Sequence, residues 1–219
     1  MNDPWGWIIA IPAAYVLGAI PFGVIISRLF SGVDVRSTGS GGVGATNVMR
    51  TSGVKAGTLA LILDGTKGAV AIGIAKIVAD GPTPELEAIA GLAAMAGHNW
   101  SVFIGFRGGK GVTIGWAALG VMSPWAALAT LVGAPVAGVS RYVSLGSIIG
   151  ASAGLILLAV QVLAFDYGGN GYLIYAAGGT ALILWRHVPN MGRIIRGEEN
   201  KIGQRVDLRP PPTPPTPST

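Results

Sequence analysis

The stretch from Gly97 to Thr113, GHNWSVFIGFRGGKGVT, is a polar, glycine-rich insertion in an otherwise apolar chain. It holds His98, one of only two histidines, and two cations, Arg107 and Lys110. A helix needs about 20 mostly apolar residues to cross a bilayer, and the sequence on both sides of the insertion is apolar and almost uncharged. The insertion therefore predicts a loop between membrane-embedded helices, and it is the first place to look for chemistry.

The composition of the 219-residue chain is that of an integral membrane protein. Only 11% of its residues are charged, against roughly 25% in a soluble domain, and the mean hydropathy is +0.58. The 35 glycines suit closely packed transmembrane helices. The net charge of +5 comes from basic residues scattered among apolar runs, which favours a bilayer partner and argues against nucleic acid. With no cysteine, disulfides and thiol chemistry are excluded.

The fold class predicted is all-α, a bundle of seven transmembrane helices, some short or kinked, joined by glycine-rich cytoplasmic loops. The predicted spans are residues 5–30, 54–79, 86–97, 111–122, 125–139, 146–165 and 171–185. Pro12 and Pro21 should bend the first span. Residues 111–139 could instead form one helix of roughly 43 Å, but Pro124 would interrupt it, and we favour a hairpin of two short helices.

The distribution of charge gives the predicted orientation. Thirteen of the fifteen basic residues fall on one side of this layout, and the others, Lys67 and Lys76, lie in the second span. A single 111–139 helix would move Arg141 and the C-terminal basic residues to the opposite side, so the asymmetry favours the hairpin. By the positive-inside rule the N-terminus is outside and the C-terminus cytoplasmic. Residues 1–203 are predicted to form one membrane domain, and residues 204–219, rich in Pro and Thr, a disordered cytoplasmic tail.

The loop Gly39–Arg50, GSGGVGATNVMR, formally contains G-x-G-x-x-G. A dinucleotide site would need a preceding strand, whereas a membrane helix and a loop come first. Glycines nevertheless let consecutive N–H groups converge on an anion. Ser40, Thr46 and Asn47 add donors, and Arg50 adds a guanidinium fork suited to phosphate. A flexible loop with a snorkelling arginine is an equally good interpretation of this segment alone.

The GFRGGKG segment that ends at Gly111 resembles a P-loop but does not match the pattern. Ile104 replaces the first glycine, and Gly111 replaces the Ser or Thr that would hold magnesium, so nucleotide hydrolysis is not expected. The cations could simply reach lipid headgroups. Because glycines flank Lys110, the backbone must approach something closely, and we favour an anion site at the start of the next helix.

The sequence offers few groups for covalent or acid–base catalysis. His98 and His187 have no clustered carboxylate, so a metal site is not expected. The H-x4-D pattern of another class of glycerolipid acyltransferase is absent, because Phe103 and Gly192 stand at the fifth position after each histidine. No G-x-S-x-G nucleophile elbow occurs either. The chain is rich in phosphate-binding residue types and poor in nucleophiles.

Two further polar groups have competing interpretations. Asp64 and Lys67 share one face of a membrane helix. They are either a functional pair or a mutually neutralised structural pair, and we favour the second. A basic cluster after the last span is either an ordinary anchor or part of a site. A simple basic anchor does not require Asn190 or the Glu199-x-Lys201 pair, which both belong to this cluster.

Taken together, the loops resemble one family, the acyl-phosphate:glycerol-3-phosphate acyltransferases, or PlsY family, of bacteria. The resemblance covers residues 18–203, and its motifs in chain order are GAIPFG, GSGGVGATNVMR, the D-x-x-K-G at Asp64, GHNWSVFIGFRGGKGVT, SLGS and RHVPNMGRIIRGEENK. One departure is visible, because Gly42 stands where the family usually has Asn.

This resemblance implies transfer of a fatty acyl group from acyl-phosphate to the 1-hydroxyl of sn-glycerol 3-phosphate, giving lysophosphatidic acid and phosphate. It also implies seven spans in the bacterial inner membrane, a cytoplasmic active site, no metal, no nucleotide and no other cofactor. The resemblance is also compatible with one protein partner, the soluble enzyme that makes acyl-phosphate.

The resemblance also leads to a hypothesis for the site. Ser40, Arg50 and Lys110, with the Gly108–Gly111 backbone, would hold one phosphate. His187, Asn190 and Lys201 would position the other, with Ser144 or Ser147 near the acceptor. No covalent nucleophile or dedicated base is assigned, because the departing phosphate can take the hydroxyl proton. The whole predicted set is Ser40, Thr46, Asn47, Arg50, His98, Arg107, Gly108, Gly109, Lys110, Gly111, Ser144, Ser147, His187, Asn190, Glu199 and Lys201.

Two alternatives belong to other classes of protein. A small transporter for an organic phosphate could use the same cationic cavity, but inverted repeats with paired broken helices are not evident. A scaffold that binds anionic lipid would not need three separate glycine-rich loops.

Overall fold

The structure is a computed structural model that describes residues 4–79 and 83–205. Across these residues it forms α-helices and short 3₁₀ turns and contains no strand, which confirms the predicted all-α class. The α-helices are α1 (Pro4–Ala19), α2 (Phe22–Ser31), α3 (Ala45–Ser52), α4 (Val54–Val78), α5 (Pro84–Asn99), α6 (Val112–Met122), α7 (Pro124–Ala129), α8 (Gly133–Ser140), α9 (Val143–Phe165) and α10 (Asn170–Ile195). The 3₁₀ turns are Val35–Ser37, Val102–Ile104 and Thr130–Val132.

Three helical segments of this described part are long and apolar enough to cross a membrane, namely Trp5–Ser31, Val54–Val78 and Val143–Phe165. Two shorter segments, Val112–Met122 and Pro124–Ser140, are also apolar. Most of the predicted Pro/Thr-rich tail, from residue 206 onward, lies outside the described residues.

The first predicted span is broken at Pro21, whereas Pro12 lies inside α1 without ending it. Because proline has no N–H, the carbonyls at the end of α1 lose helical partners. The ammonium of Lys67 replaces them, since its Nζ donates to the carbonyl oxygens of Gly18 at 3.0 Å and Ile20 at 2.7 Å. Lys67 also lies 2.8 Å from Asp64 Oδ1. The structure therefore gives the Asp64–Lys67 pair a structural role, because Lys67 satisfies the carbonyls at the break between α1 and α2.

The region 111–139 forms the hairpin that the charge pattern favoured. The side chain of Ser123 caps α7 by accepting from the N–H of Ala126 at 3.2 Å, and Pro124 is the first residue of that helix. At this far end, the Tyr167 hydroxyl at the end of α9 donates to the carbonyl of Met122 at 2.7 Å. The return segment consists of α7, a 3₁₀ turn and α8, so both α6 and α8 have one end near the start of α9.

Small residues let the helices pack closely, as the glycine content predicted. Where α1 crosses α5, a Cβ on Gly18 would overlap the backbone of Ala94, and a Cβ on Gly97 would overlap the backbone of Tyr15. The core shared by α4, α5, α6, α9 and α10 is filled largely by alanines and by the fully buried Tyr175.

The last helix continues ten residues beyond residue 185, where the predicted span ends. Pro189 lies inside α10 without ending it. The final turns are amphipathic, with His187 and Asn190 buried and Val188 and Met191 exposed. These two polar residues are therefore held by helix geometry and not by a loop, which fixes their positions relative to the core.

Candidate functional site

A polar cavity has a volume of about 690 Å³, within the usual range for small-ligand sites. Most of its lining comes from the loop after α2 with α3, the Gly-Gly-Lys-Gly segment before α6, the first turns of α9, and the end of α10 with Glu199. Asp64 of α4 and His98 of α5 also line it. Fourteen of the sixteen predicted site residues line this cavity. The exceptions are Arg107, which is exposed on the turn before the glycines, and Lys201, whose ammonium lies 6.0 Å from the ring centroid of Tyr142.

The Gly-Gly-Lys-Gly segment is fixed by close packing on the end of α5. The N–H groups of Gly108 and Gly109 donate to the carbonyls of Asn99 and His98, at 3.2 and 3.0 Å. A Cβ on Gly108 would overlap the His98 carbonyl, and one on Gly109 would overlap the His98 imidazole. Gly111 has a φ of +77° and precedes the first residue of α6. These glycines are therefore needed for close approach and for the turn into the helix.

Arg186 holds the same segment from the other side. Its Nε and Nη2 donate to the carbonyls of Gly109 at 2.9 Å and Gly108 at 3.3 Å, and its guanidinium lies 5.7 Å from the Trp100 ring centroid. Sequence reasoning noted Arg186 only as part of a basic cluster, because nothing local indicates that it reaches back 77 residues to a loop.

Lys110 is half-buried among other cations. Burial lowers the pKa of its ammonium to about 8; the carboxylate of Glu199 opposes that shift, and the positive charges of Arg193, Arg50 and Arg186 add to it. A bound anion would relieve this repulsion and restore the lysine's charge. The arrangement is therefore electrostatically suited to an anion such as phosphate.

Asn47 organises the first glycine-rich loop from within. Its Oδ1 accepts the N–H of Ser40 at 3.1 Å, and its Nδ2 contacts the carbonyl oxygens of Val35, Thr38 and Gly42 at 2.8–3.1 Å. Both hydrogens of the side-chain amide are thus engaged by the loop's own backbone. Asn47 lines the cavity but acts on the loop's conformation, while Ser40 stays exposed and Thr46 is half-buried.

Glu199 performs a similar task at the other side of the cavity. Its carboxylate accepts hydrogen bonds from Ser144 Oγ at 3.0 Å, Asn190 Nδ2 at 2.6 Å and Arg193 Nε at 2.7 Å. Burial alone would raise the pKa of this carboxyl, but these three donors outweigh it and hold the pKa below its usual value. Glu199 stays ionised and ties α9 to α10. Its negative charge also makes it unsuited to contact phosphate directly.

His187 is 1% exposed and lines the cavity. Its Nδ1 lies 2.8 Å from the Ile183 carbonyl oxygen. Because a carbonyl can only accept, Nδ1 carries a proton and Nε2 is the ring nitrogen available to a ligand.

Asp64 is a cavity residue that lies outside the predicted set. It is 2% exposed, and its Oδ1 lies 3.8 Å from His98 Nδ1 as well as 2.8 Å from the Lys67 ammonium. The sequence singled out Asp64 and Lys67, but only the fold connects them through His98 to Gly109. Within the described residues no group of three or more His, Cys, Asp or Glu side chains is arranged to hold a metal ion.

A second, apolar groove of about 740 Å³ adjoins the polar cavity. It runs between α4, α6, α8, α9 and α10. Five residues line both spaces: Leu61, Val112, Thr113, Val143 and Ser147. Trp116 and Leu131 line the groove and are about half exposed, so it opens sideways at the protein surface.

Comparisons with known proteins agree on one family. The family model described as glycerol-3-phosphate acyltransferase matches residues 8–197. A glycerol-3-phosphate acyltransferase of Anaeromyxobacter sp. (strain K) is 46% identical over 198 residues, covering 88% of this chain and 95% of the relative. One from Desulforamulus reducens is 41% identical over 199 residues, covering 90% and 96%.

Two solved structures are similar over nearly the whole chain. Both are crystal structures of PlsY (YgiH), an integral membrane glycerol 3-phosphate acyltransferase. The glycerol 3-phosphate form has a TM-score of 0.81 and 38% identity, and the lysophosphatidic acid form has 0.79 and 37%. Each match covers 90% of this chain and 96% of the other.

Proposed function

We propose that this chain, which belongs to the glycerol-3-phosphate acyltransferase family, transfers a fatty acyl group to glycerol 3-phosphate and releases lysophosphatidic acid. The match to the family model and to these relatives confirms the family that the loop motifs predicted. The observation that carries the proposal is the direct connection of a cationic, glycine-lined cavity to an apolar groove. A phosphate-bearing acceptor and an acyl chain would meet where the two spaces join.

Acyl-phosphate is the donor that best fits the residues. It is a mixed anhydride with a good leaving group, so a covalent protein intermediate is unnecessary. Its phosphate and that of the acceptor together would need several cations, and Arg50, Lys110, Arg186 and Arg193 line one cavity. A soluble enzyme that makes acyl-phosphate would supply the donor, as the resemblance implies.

The proposed step is a direct acyl transfer. The 1-hydroxyl oxygen of glycerol 3-phosphate attacks the acyl carbonyl carbon and forms the ester bond. The bond between that carbon and the phosphate oxygen breaks, and the departing phosphate keeps the electron pair and takes the hydroxyl proton. The chain contributes positioning of the two substrates and stabilisation of the developing negative charge.

The geometry refines the proposed roles. Ser40, Arg50 and Lys110 hold one phosphate with the backbone N–H groups of Lys110 and Gly111, because those of Gly108 and Gly109 already donate to Asn99 and His98. His187 lies beside the other substrate. Asn190 and Ser144 act through Glu199, to which both donate. Lys201 and Arg107 would need to move to contact either phosphate.

We also propose seven membrane crossings, with the cavity on the cytoplasmic side of the bacterial inner membrane and the N-terminus outside. The crossings are α1–α2, α4, α5, α6, α7–α8, α9 and α10. Successive helix ends alternate in a way that supports this layout. His98 lies in the last turn of α5 and Val112 begins α6 at the cavity, while Gly171 of α10 packs against Pro84 of α5 at the far end. The one-sided basic charge supports the orientation.

The test measures products from purified, detergent-solubilised protein supplied with palmitoyl-phosphate and glycerol 3-phosphate. We expect equimolar release of phosphate and lysophosphatidic acid, dependent on both substrates. Lys110→Ala should lower kcat/KM by about a hundredfold, since it removes a charge-assisted contact to phosphate. Lys55→Ala, which removes an exposed lysine outside the cavity, should leave it unchanged. Phosphate release that does not require glycerol 3-phosphate would contradict the proposal.

A further inference from the structure

The apolar groove is short compared with a long fatty acyl chain. Along α9 it extends from Ser147, which it shares with the polar cavity, to Leu155. Eight residues of helix rise about 12 Å. A zigzag chain of ~1.5 Å carbon–carbon bonds advances ~1.3 Å per carbon, so this depth accommodates about nine carbons. The same length separates Ile183 from Tyr175 on α10.

The far end of the groove is closed by a fixed side chain. Leu119, Leu155 and Tyr175 line it there, and Tyr175 is 1% exposed. The Tyr175 hydroxyl donates to the carbonyl of Gly115 at 2.8 Å, so the ring is held between α10 and α6. The long side of the groove is open instead, past the half-exposed Trp116 and Leu131.

We propose that the groove recognises only the first nine or so carbons of the acyl chain, and that Gly179 and Ala151 keep its inner half open. The proposal rests on the proposed acyltransferase function. The acyl carbons beyond the closed end pass through the open side of the groove into the surrounding lipid, where they contact no residue of the groove. The enzyme therefore reacts poorly with acyl chains that are branched within the first nine or so carbons or shorter than that length. Longer chains of different total length react about equally well.

Two small residues lie halfway along the groove on neighbouring helices. Gly179 is four residues from Ile183 on α10, and Ala151 is four residues from Ser147 on α9. A Cβ at Gly179 would meet only the side chain of Leu155, at 3.5 Å, which is an ordinary contact. A larger side chain at Gly179 would therefore extend into the groove without displacing backbone, and Ala151 lines the same groove from α9. Gly150, by contrast, has no such room, because a Cβ there would overlap the Thr130 carbonyl.

The experiment compares butanoyl-, decanoyl- and palmitoyl-phosphate at equal concentration in detergent solution, with saturating glycerol 3-phosphate. In the unmodified enzyme, kcat/KM should rise by at least about tenfold from four to ten carbons and change by less than about twofold from ten to sixteen. Gly179→Leu and, independently, Ala151→Leu lie about four carbons into the groove, so they should keep butanoyl transfer within about twofold and lower decanoyl and palmitoyl transfer by about tenfold. Retained butanoyl transfer also shows that each variant is folded.

The matched control is Gly73→Leu on α4, where a Cβ meets nothing within 4 Å and which lies outside the groove. It should match the unmodified enzyme with all three donors. A uniform loss across donors in both groove variants would overturn the groove assignment, as would a kcat/KM that keeps rising from ten to sixteen carbons. If the unmodified protein transferred no acyl group from any donor, the proposed function itself would fail.

Discussion

The two glycine-rich loops of the cavity use glycine for different physical reasons. In the first loop, Gly39 and Gly41 have φ values of +56° and +69°, which only glycine adopts at little cost. Its other glycines have room, because a Cβ on Gly42 meets only Ser40 Oγ at 3.7 Å and one on Gly44 meets nothing within 4 Å. In the second loop, Gly108 and Gly109 are pressed against His98.

The supports of the loops differ in the same way. The first loop is held from inside by one side chain, Asn47. The second is held from outside, by the end of α5 and by Arg186 of α10. A Gly-rich motif in the sequence therefore does not reveal whether its glycines provide backbone freedom or close packing. Substitutions of individual residues in each loop distinguish glycines that provide backbone freedom from glycines that allow close packing.

The largest effect is expected for Gly108→Ala. Its Cβ would overlap backbone atoms of His98 and Asn99, which cannot rotate away. We expect a loss of about 1–3 kcal/mol in stability and at least a hundredfold loss of kcat/KM, because Lys110 moves with the loop. Gly44→Ala in the first loop is the matched control, and thermal unfolding with activity assays measures both. Equal effects of the two substitutions would refute the distinction.

Asn47→Ala should be nearly as damaging. It removes the side chain that satisfies one N–H and three carbonyls, of which the Val35 carbonyl is buried, and a buried group left unsatisfied costs about 1–3 kcal/mol. The loop that carries Ser40 should become mobile, which raises KM for the phosphate substrates by about tenfold or more. Hydrogen exchange of residues 35–47 checks the mechanism. Unchanged protection there would mean that Asn47 does not organise the loop.

Gly109→Ala should be rescued by a second substitution, unlike Gly108→Ala. The three nearest atoms to a Cβ at Gly109 all belong to the His98 imidazole. We expect about a tenfold loss for Gly109→Ala, with a coupling to His98→Ala of about 1 kcal/mol or more in a double-mutant cycle. Additive losses in kcat/KM would show that the imidazole is not the obstacle.

The lowered pKa of Lys110 predicts that kcat/KM depends on pH. Because the pKa of Lys110 is lowered to about 8, its positive charge is mostly present at pH 7 and is lost as the pH rises through 8. kcat/KM for the phosphate substrates should therefore fall above pH 8, approaching about tenfold per pH unit. Lys110→Arg keeps its charge in this range, so its residual activity should not show this decline. A parallel decline in both enzymes would assign the titration to another group.

The smallest effect is expected for Gly42→Asn, which introduces the residue expected at this position from the family resemblance. Gly42 has an ordinary negative φ and free space around it, so the new side chain should fit. It would add an amide donor at the cavity and lower KM for one phosphate substrate by about threefold or less. Steady-state kinetics measures this, and a tenfold loss would show that the space is needed by the substrate.

Much of this protein followed from local sequence. Helical spans are determined by hydropathy over about 20 residues, and the proposed anion-binding character of the loops was inferred from which residue types stand together. A bend at Pro21 and an interruption at Pro124 were predicted for the same reason, since proline acts on its own turn, and the structure ends a helix at both places. Proline does not end every helix, because Pro12 and Pro189 lie inside α1 and α10.

Only the tertiary structure decided which polar residues face a ligand and which hold the frame. Asn47 and Glu199 look like ligands in the sequence, but their hydrogen bonds are taken up by Ser40, Gly42, Ser144 and Arg193. Arg186 joins the site through a contact across 77 residues, and Arg50 reaches the carbonyl of Asn200 across 150. Arg107, two residues before Gly109, remains outside. Hydrogen-bond partners at such separations depend on how helices pack, and no pattern within a single loop encodes that packing.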